Sequence, residues 1–323
     1  MRIQDISILQ DKGILTGDSF TAPNIGMPGG ILTQISNEVI EAIFSARTAV
    51  EVAGTQKKVI EWSDEEFMPP MLEPTGQTTP YGDFSQAQVV GLNLGFENYK
   101  HYRFSVGVTV GNLEEQQFAK AKINMYERKY GAAFEALEIE RNRANFYGFI
   151  DNTSGNYLVY GLLNDPKLPA WDASAKTFDA MTYAEIMAFF GNAVANLTSK
   201  TGNNINVNSK IRVAIASNKF AYLASFVTEF GYSALEGLKK AYPNMEFVSV
   251  FEFEKAYNNL DCIYFIGESM AGGVAETLYL GYSELARSEN MVMETKFRKT
   301  EVSSGMTGAI INKPLFIARY SGI

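Results

Sequence analysis

The sequence predicts an α+β fold, and three observations support this fold class. Between Leu113 and Tyr147 apolar side chains recur every three or four residues, which indicates one long helical face. Strand-like alternation comes before this segment and again near the C-terminus. Between residues 183 and 282 helical and strand-like segments alternate, as they do in a compact α/β unit.

The N-terminal segment, residues 1–49, is predicted to be an arm with one short helix. The first 30 residues show little periodicity and end in a stretch rich in glycine and proline, from Pro23 to Gly30. Such a segment needs a partner surface to become ordered. A helix is expected from about Ile31 to Arg47, because its apolar residues fall on one side.

Residues 50–110 are predicted to form an extended, hairpin-like loop. Strand patterns at Val50–Gly54 and Tyr102–Gly111 enclose a middle part that is rich in proline and glycine. The middle part has too few apolar residues for a core of its own, so its hydrophobic side chains would stay exposed in a monomer. Oligomerisation would cover them, and the interface candidates in this loop are Phe67, Tyr81 and Phe84.

Residues 111–150 are predicted to contain one uninterrupted helix from Leu113 to Tyr147. At 1.5 Å per residue, roughly 35 residues span about 50 Å. Asn112, followed by Glu115 three residues later, is a typical helix start signal. The exposed face carries charges of both signs, which indicates a solvated or subunit-facing surface. The candidates for contact with a neighbouring subunit are Arg128, Arg141 and Arg143.

Residues 151–289 are predicted to form an α/β domain behind a connector rich in glycine and asparagine. Residues 290–323 follow as an alternating strand and a final strand pair hinged at Pro314. The expected helices of the α/β domain are 183–199 and 219–241, the second interrupted near Gly231. Its expected strands are 211–216, 247–251, 263–267 and 277–282.

Composition excludes several functional classes. The net charge of −8 and the pI near 5.0 disfavour a chain-wide affinity for nucleic acid, although a local basic face remains open. One histidine and one cysteine cannot furnish a zinc site, and no calcium-loop motif is present, so no metal or cofactor is expected. Cys262 lies in an apolar run and is expected to be a buried thiol. No apolar run is long enough for a membrane span or signal peptide, so the expected compartment is cytoplasm-like.

One short motif resembles a catalytic element. Residues 267–271 read G-E-S-M-A after a predicted strand, one residue away from the nucleophile elbow of α/β-hydrolases, with Ser269 as the nucleophile. That chemistry needs a base, and the histidine of those hydrolases follows the serine in the chain. Here His101 precedes Ser269. We therefore expect no enzyme activity, with a serine hydrolase using Ser269 as the alternative from another class.

The order of these parts carries a resemblance. The helical segment LEEQQFAKAKINMYERKYGAAFEALEIERNRANFYG, the connector GLLNDPKLP and the ending KPLFIARYSGI are the main features, together with ILTQISNEVIEAIF near the N-terminus. In this order the chain resembles the major capsid proteins of tailed bacteriophages, and an uncharacterised-domain branch of that family in particular. The resemblance spans nearly the whole chain.

The resemblance implies the architecture and the role of each part. Residues 1–49 would be the N-terminal arm and 50–110 the extended loop. Residues 111–150, with the spine helix, and the returning strands 290–323 would form the peripheral domain, and residues 151–289 the axial domain. Hexamers and pentamers would close an icosahedral shell around double-stranded DNA. An encapsulin-type nanocompartment shell, which shares the fold, is the nearest alternative.

The resemblance also implies partners and location. The chain would bind copies of itself, packaged DNA without sequence specificity, and scaffold, portal and decoration proteins, with no membrane contact and no cofactor. Assembly would take place in the host cytoplasm, and the protein would end in the virion as part of the capsid.

Overall fold

The computed structural model describes residues 46–323 apart from 84–85, 87–88, 121–123, 152–154, 228–230, 232 and 269–275. The helices are α1 (Ala49–Ala53), α2 (Asn112–Lys120), α3 (Met125–Tyr147), α4 (Tyr183–Lys200), α5 (Ser217–Ser225) and α6 (Ala234–Ala241). The strands are β1 (Gln56–Lys58), β2 (Glu66–Phe67), β3 (Pro70–Thr75), β4 (Gly91–Phe96), β5 (Tyr99–Lys100), β6 (Tyr102–Gly111), β7 (Phe149–Ile150), β8 (Tyr157–Val159), β9 (Asp172–Ala173), β10 (Ile211–Ala216), β11 (Met245–Val250), β12 (Cys262–Gly267), β13 (Leu278–Ser288), β14 (Val292–Met293), β15 (Phe297–Ile311) and β16 (Ile317–Ser321).

The first sheet is built around β15, the longest of these strands. One side of β15 pairs with β13 and, near its start, with β14, while the other side pairs with β6 over ten residues. Strand β1 extends the sheet beyond β13 in parallel orientation. Helix α3 packs across β6 and β15, and this core consists of Val108, Val110, Ala133, Leu137 and Val302.

The second sheet has the strand order β11-β10-β12-β16-β9 and is the most deeply buried part of the fold. All six residues of both β10 and β12 are buried. Helices α4, α5 and α6 cover one face, where Phe190, Phe265 and Leu238 belong to one core. The other face packs on the end of α3 and on β13 and β15. Burial on both faces explains why β10 and β12 read as continuous apolar runs.

A buried arginine joins α1 to the second sheet. Arg212 of β10 donates to the carbonyl oxygens of Val52 (3.0 Å) and Ala53 (2.8 Å), which are among the last carbonyls of α1. The chain then turns at Gly54, which has a φ of +78°. A Cβ at this position would lie 2.1 Å from a guanidinium nitrogen of Arg212, so only glycine fits both the turn and the contact.

The predicted single helix from Leu113 to Tyr147 is wrong. Asn124 has an extended backbone (φ −81°, ψ 94°), and its side chain accepts a hydrogen bond from the Glu127 N–H at 3.3 Å. Asn124 therefore caps a new helix, α3, and α2 is a separate helix before it. The pattern of Asn followed by Glu three residues later occurs at this position too, inside the apolar periodicity that suggested one rod.

The described structure differs from the predicted elements near its N-terminal end as well. Val50–Gly54 was expected as a strand but forms most of the one-turn helix α1 and its C-terminal cap, because Ala49, Val52 and Ala53 bury one helical face. The helix expected at residues 31–47 lies outside the described residues except for its last two, which are not helical.

The final third of the chain follows its predicted elements closely, but the strands divide between the two sheets. Ile211–Ala216 is a strand as predicted, and the long helix predicted around Gly231 divides into α5 and α6. Strand β13, expected with the α/β domain, pairs with β15 in the first sheet. Strand β16, expected with the peripheral strands, pairs with β12 in the second sheet after the turn at Pro314. None of the described helices combines the length and apolar character needed to span a membrane.

Candidate assembly surfaces

The hairpin of β3 and β4 presents one face made only of apolar side chains. The two strands pair in antiparallel register, and residues directly opposite each other point to the same face. The opposed pairs on this face, which we call the apolar hairpin face, are Pro70 with Phe96, Leu72 with Leu94, and Pro74 with Leu92. The opposite face is mixed and carries Glu73 and Asn93.

The apolar hairpin face has no cover within the described part of the chain. All twelve residues of the two strands are exposed, and the four large side chains Leu72, Leu92, Leu94 and Phe96 are between 57% and 68% exposed. A two-stranded sheet is marginally stable in water, and a bare apolar face of this kind marks an interaction site. The hairpin is therefore a candidate interaction surface.

The base of the loop is fixed to the first sheet by His101. Its Nδ1 lies 2.7 Å from the Asp64 carbonyl oxygen and its Nε2 lies 2.8 Å from Ser283 Oγ in β13. The neutral tautomer with a proton on Nδ1 donates to Asp64 and accepts from Ser283. Burial lowers the pKa of His101. Arg103 donates to the carbonyl oxygens of Trp62 (2.9 Å) and Asp64 (2.6 Å), which adds to the same anchor.

A second anchor ties the returning strand of the loop to the connector after α3. Glu97 forms an ion pair with Lys167 and accepts a hydrogen bond from the Tyr99 hydroxyl at 2.9 Å. Burial, together with the negative charge of Glu97, raises the pKa of Tyr99, so this hydroxyl stays a donor at neutral pH. The loop thus has a fixed base and an exposed tip.

A polar junction joins α3, the start of α1 and the second sheet. The Asn142 side chain accepts from the Ala49 N–H at 3.1 Å and donates to the Glu252 carboxylate at 2.5 Å. Thr48 donates to the same carboxylate at 3.4 Å. Burial raises the pKa of Glu252. Arg47 pairs with Glu135 and Glu138 on α3, so the chain is held where it enters the described structure.

The three predicted loop residues lie in different environments, and their role at an interface stays a prediction. Tyr81 is 94% exposed. Phe67 is half-buried in its own subunit, since β2 pairs with β5 and the Phe67 ring lies 6.5 Å from that of Tyr99. Phe84 lies outside the described residues. Sequence reasoning missed the leucines of the apolar hairpin face, although alternation in GLNLGF was a readable signal.

The three predicted arginines lie on α3 but do not form one cluster. Arg128 is in the first turn and exposed, whereas Arg141 and Arg143 are in the last two turns, about 20 Å away by helix rise. Arg143 pairs with Glu140 at 3.1 Å within the helix. Arg141 is half-buried, and burial lowers its pKa. Its Nε has no hydrogen-bond partner among the residues that the structure describes.

The groups with catalytic potential are held in structural contacts where the structure describes them. Ser269 lies outside the described residues. The Ser283 hydroxyl next to His101 is fully buried, so no substrate reaches it in this conformation. Cys262 is buried as predicted, and burial raises the pKa of its thiol to about 12. Among the described residues no group of three or more His, Cys, Asp or Glu side chains could hold a metal ion.

Comparison with known proteins agrees with this geometry. The family model described as Pa193 gp26 major capsid protein matches residues 18–322. The capsid of Myoviridae phage XM1 is similar with a TM-score of 0.74 and 13% identity, over 91% of this chain and 100% of that one. The capsid of a native GTA particle is similar with a TM-score of 0.61 and 8% identity, over 94% of this chain and 98% of that one. A structure from Microbacterium phage Oxtober96 has a TM-score of 0.57 and 11% identity, over 90% of this chain and 95% of that one. No curated protein sequence matches the chain.

Proposed function

The chain belongs to the Pa193 gp26 major capsid protein family and is a shell-forming capsid protein of a virion, and from this premise we propose that its hexamers and pentamers close an icosahedral shell around double-stranded DNA. The observation that carries this proposal is the apolar hairpin face, which no other described residue of the subunit covers, although the loop base is firmly anchored. A surface that fits a different surface on the next copy generates a closed ring when the rotation between copies closes.

The two sheets support a division into domains. We propose that the first sheet with α3 forms the peripheral domain and that the second sheet with α4, α5 and α6 forms the axial domain. Residues 1–49 would be the arm and the segment between β1 and β6 the extended loop. Strands β13 and β15 belong to the peripheral part and β16 to the axial part, which adjusts the boundaries expected from the sequence alone.

The remaining partners follow from the role of a shell. We propose that scaffold, portal and decoration proteins bind the assembled shell, and that assembly takes place in the host cytoplasm. Packaged DNA would be contacted locally and without sequence specificity, because the net charge of −8 opposes a chain-wide attraction to phosphates.

We also propose that the chain has no catalytic role. A fluorophosphonate probe should then leave the protein unlabelled, whereas labelling lost in Ser269→Ala would contradict this.

The shell proposal is tested by making the apolar hairpin face polar. The double variant Leu92→Ser/Leu94→Ser should leave a folded subunit, with an unchanged circular dichroism spectrum, that no longer forms shells. The matched control Met71→Ser/Thr75→Ser changes the opposite face and should assemble. Size-exclusion with light scattering and negative-stain microscopy give the readout, with the scaffold added if one is encoded nearby.

Two results would contradict the proposal. Normal shells from the Leu92→Ser/Leu94→Ser variant would show that the hairpin face is not needed for assembly. A wild-type chain that stays a monomer or dimer, with or without its scaffold, would count against shell formation by this chain. The ratio of absorbance at 260 and 280 nm of purified particles reports whether they hold DNA.

A further inference from the structure

Strand β6 has an open edge. In the part of the chain that the structure describes, β6 pairs with β15 on one side and with no strand on the other. The Asn112 N–H donates to the Lys296 carbonyl at 2.9 Å, which continues the ladder, so the even-numbered residues of β6 direct their backbone groups toward β15. The odd-numbered residues direct theirs outward, and the Thr109 carbonyl accordingly accepts from the Lys129 side chain at 3.1 Å.

One flank of α3 lies near this edge, because the Lys129 side chain donates to the outward Thr109 carbonyl at 3.1 Å. Toward the other end of β6, the Tyr102 hydroxyl lies 3.4 Å from Glu140 of the same helix. Between Lys129 and Glu140 that flank carries Ala132 and Ala136, which are both exposed and small. Small side chains at these two positions cover less of the edge than long ones would.

The hairpin has one edge that can pair and one that cannot. Pro70 and Pro74 have no N–H, and within a ladder such residues lie where the strand turns its donors away from its partner. The outer edge of β3 thus lacks two donors, which protects it against pairing. In β4 the residues opposite the prolines, Leu92 and Phe96, also turn their backbone groups outward, and so does Leu94 between them.

We propose that β4 of a second copy pairs in parallel with the open edge of β6, between Arg103 and Gly107. This inference rests on the proposed function, because assembly supplies the second copy. The even-numbered residues of β6, such as Val106, face α3, whereas the odd-numbered ones face away. The added strand buries its leucines only if they fall on the side that faces α3.

Orientation decides on which side the leucines fall. In an antiparallel pair, residues that exchange hydrogen bonds lie opposite each other on one face, so Leu94 would share the solvent face of Ser105. In a parallel pair, a residue lies beside a partner residue whose backbone groups point the other way, so Leu94 would lie beside an even-numbered residue such as Val106. Only the parallel arrangement continues the apolar face of the sheet and packs it against Ala132 and Ala136.

Charge agrees with the parallel arrangement. Arg103 is the single charged residue of β6, and Glu73 is the single charged residue of β3 and β4. Glu73 lies on the hairpin face opposite the leucines. Parallel pairing therefore places Glu73 and Arg103 on the same solvent-facing side of the extended sheet, with opposite signs. Antiparallel pairing would turn Glu73 toward the side of the sheet that faces α3.

Cysteine pairs test both the contact and its direction. Each subunit would carry Ser105→Cys together with one cysteine in β4, at Gly91, Asn93 or Gly95 in one set and at Leu92, Leu94 or Phe96 in the other. Intact particles are oxidised and run on a non-reducing gel. Cys262 should form no disulfide in this experiment, because it is buried. We expect disulfides between copies in the first set and a loss of at least tenfold in yield in the second.

The backbone at the open edge is tested by two substitutions at Gly107. Gly107→Pro removes an outward N–H without touching the ladder to β15, and should abolish particles while the circular dichroism spectrum and melting temperature of the free subunit remain those of Gly107→Ala. Gly107→Ala keeps the N–H and should assemble, because a Cβ there meets no heavy atom within 4 Å.

The outcomes separate this inference from the proposed function. Shells that form but give no disulfide in either set, or give disulfides only in the second set, overturn the parallel pairing and leave the shell proposal intact. Normal assembly of Gly107→Pro also overturns it. A wild-type chain that forms no shells under any condition overturns the proposed function instead.

Discussion

The second sheet and the β3–β4 hairpin use apolar side chains in opposite ways. In the second sheet, Phe265 is fully buried and its ring lies within 6.4 Å of the rings of Phe189, Phe190 and Tyr320. In the hairpin, Leu94 is 57% exposed and touches solvent on the same face as its apolar neighbours. Burial in the first region is completed when the subunit folds. In the second, under the proposed function, it is completed when another copy binds.

The largest expected difference between the two regions is the effect of truncating Phe265 on subunit stability. Phe265→Ala should lower the free energy of unfolding of the free subunit by about 3 to 5 kcal/mol, because it removes a large buried side chain and leaves a cavity. Chemical denaturation followed by circular dichroism measures the change. The matched variant Leu94→Ala should leave that free energy within about 0.5 kcal/mol and reduce particle yield instead. Equal destabilisation by both variants would show that the hairpin is buried within the free subunit.

The junction at Asn142 tests how the two sheets depend on each other. Asn142→Ala removes both hydrogen bonds and leaves the Ala49 N–H and the Glu252 carboxylate without this partner. The expected loss is about 1 to 3 kcal/mol, since a buried polar group left unsatisfied costs that much. Denaturation of the free subunit measures it. Asn124→Ala, a loss of one amide at the other end of the same helix, serves as the control and should cost less. A change below about 0.5 kcal/mol for Asn142→Ala would show that the junction is not needed for subunit stability.

The two regions also differ in how far the sequence predicts them. Strand β10 and helix α4 were predictable because the pattern of apolar residues that identifies each element lies within the element itself. The loop was predictable as an excursion, but its sheet partners were not, since the pairing of β6 with β15 joins residues nearly 200 positions apart. Leu92 and Leu94 were missed although the alternation in GLNLGF already places them on one face. Their pairing with Pro74 and Leu72 of β3, which makes that face wholly apolar, comes from the register of the hairpin and could not be predicted from composition.

The loop base should respond to pH, whereas the second sheet should not. Because burial lowers the pKa of His101 below its ordinary value near 6.5, the opened state binds a proton more readily than the anchored state. Stability of the anchor therefore rises with pH through the window between the lowered pKa and about 6.5, and is lost as pH falls through that window. Amides at the loop base should exchange faster at pH 5 than at pH 7.5, after correction for the intrinsic rate.

His101→Gln removes the titratable imidazole and replaces it with an amide, which can still donate and accept hydrogen bonds. Amide exchange at the loop base of this variant should not gain the extra acid sensitivity. Amides of β10 and β12 supply the internal reference, because no described residue of those strands contacts His101. Equal protection of the wild-type loop base at both pH values would contradict the role assigned to His101.

The smallest expected effect concerns the helix start that separates α2 from α3. Asn124→Ala removes the cap on the Glu127 N–H and should cost about 1 kcal/mol, since other contacts along α3 hold the helix against the first sheet. Asn124→Asp keeps an acceptor at the cap and should restore most of the stability, as measured by thermal denaturation of the free subunit. Helix α4 provides the comparison, because Thr182 and Glu185 form a reciprocal capping box there. If Asn124→Ala lowered the free energy of unfolding by much more than Thr182→Ala, the break between α2 and α3 would contribute more to subunit stability than an ordinary cap. The two-helix arrangement would then itself be a requirement of the fold.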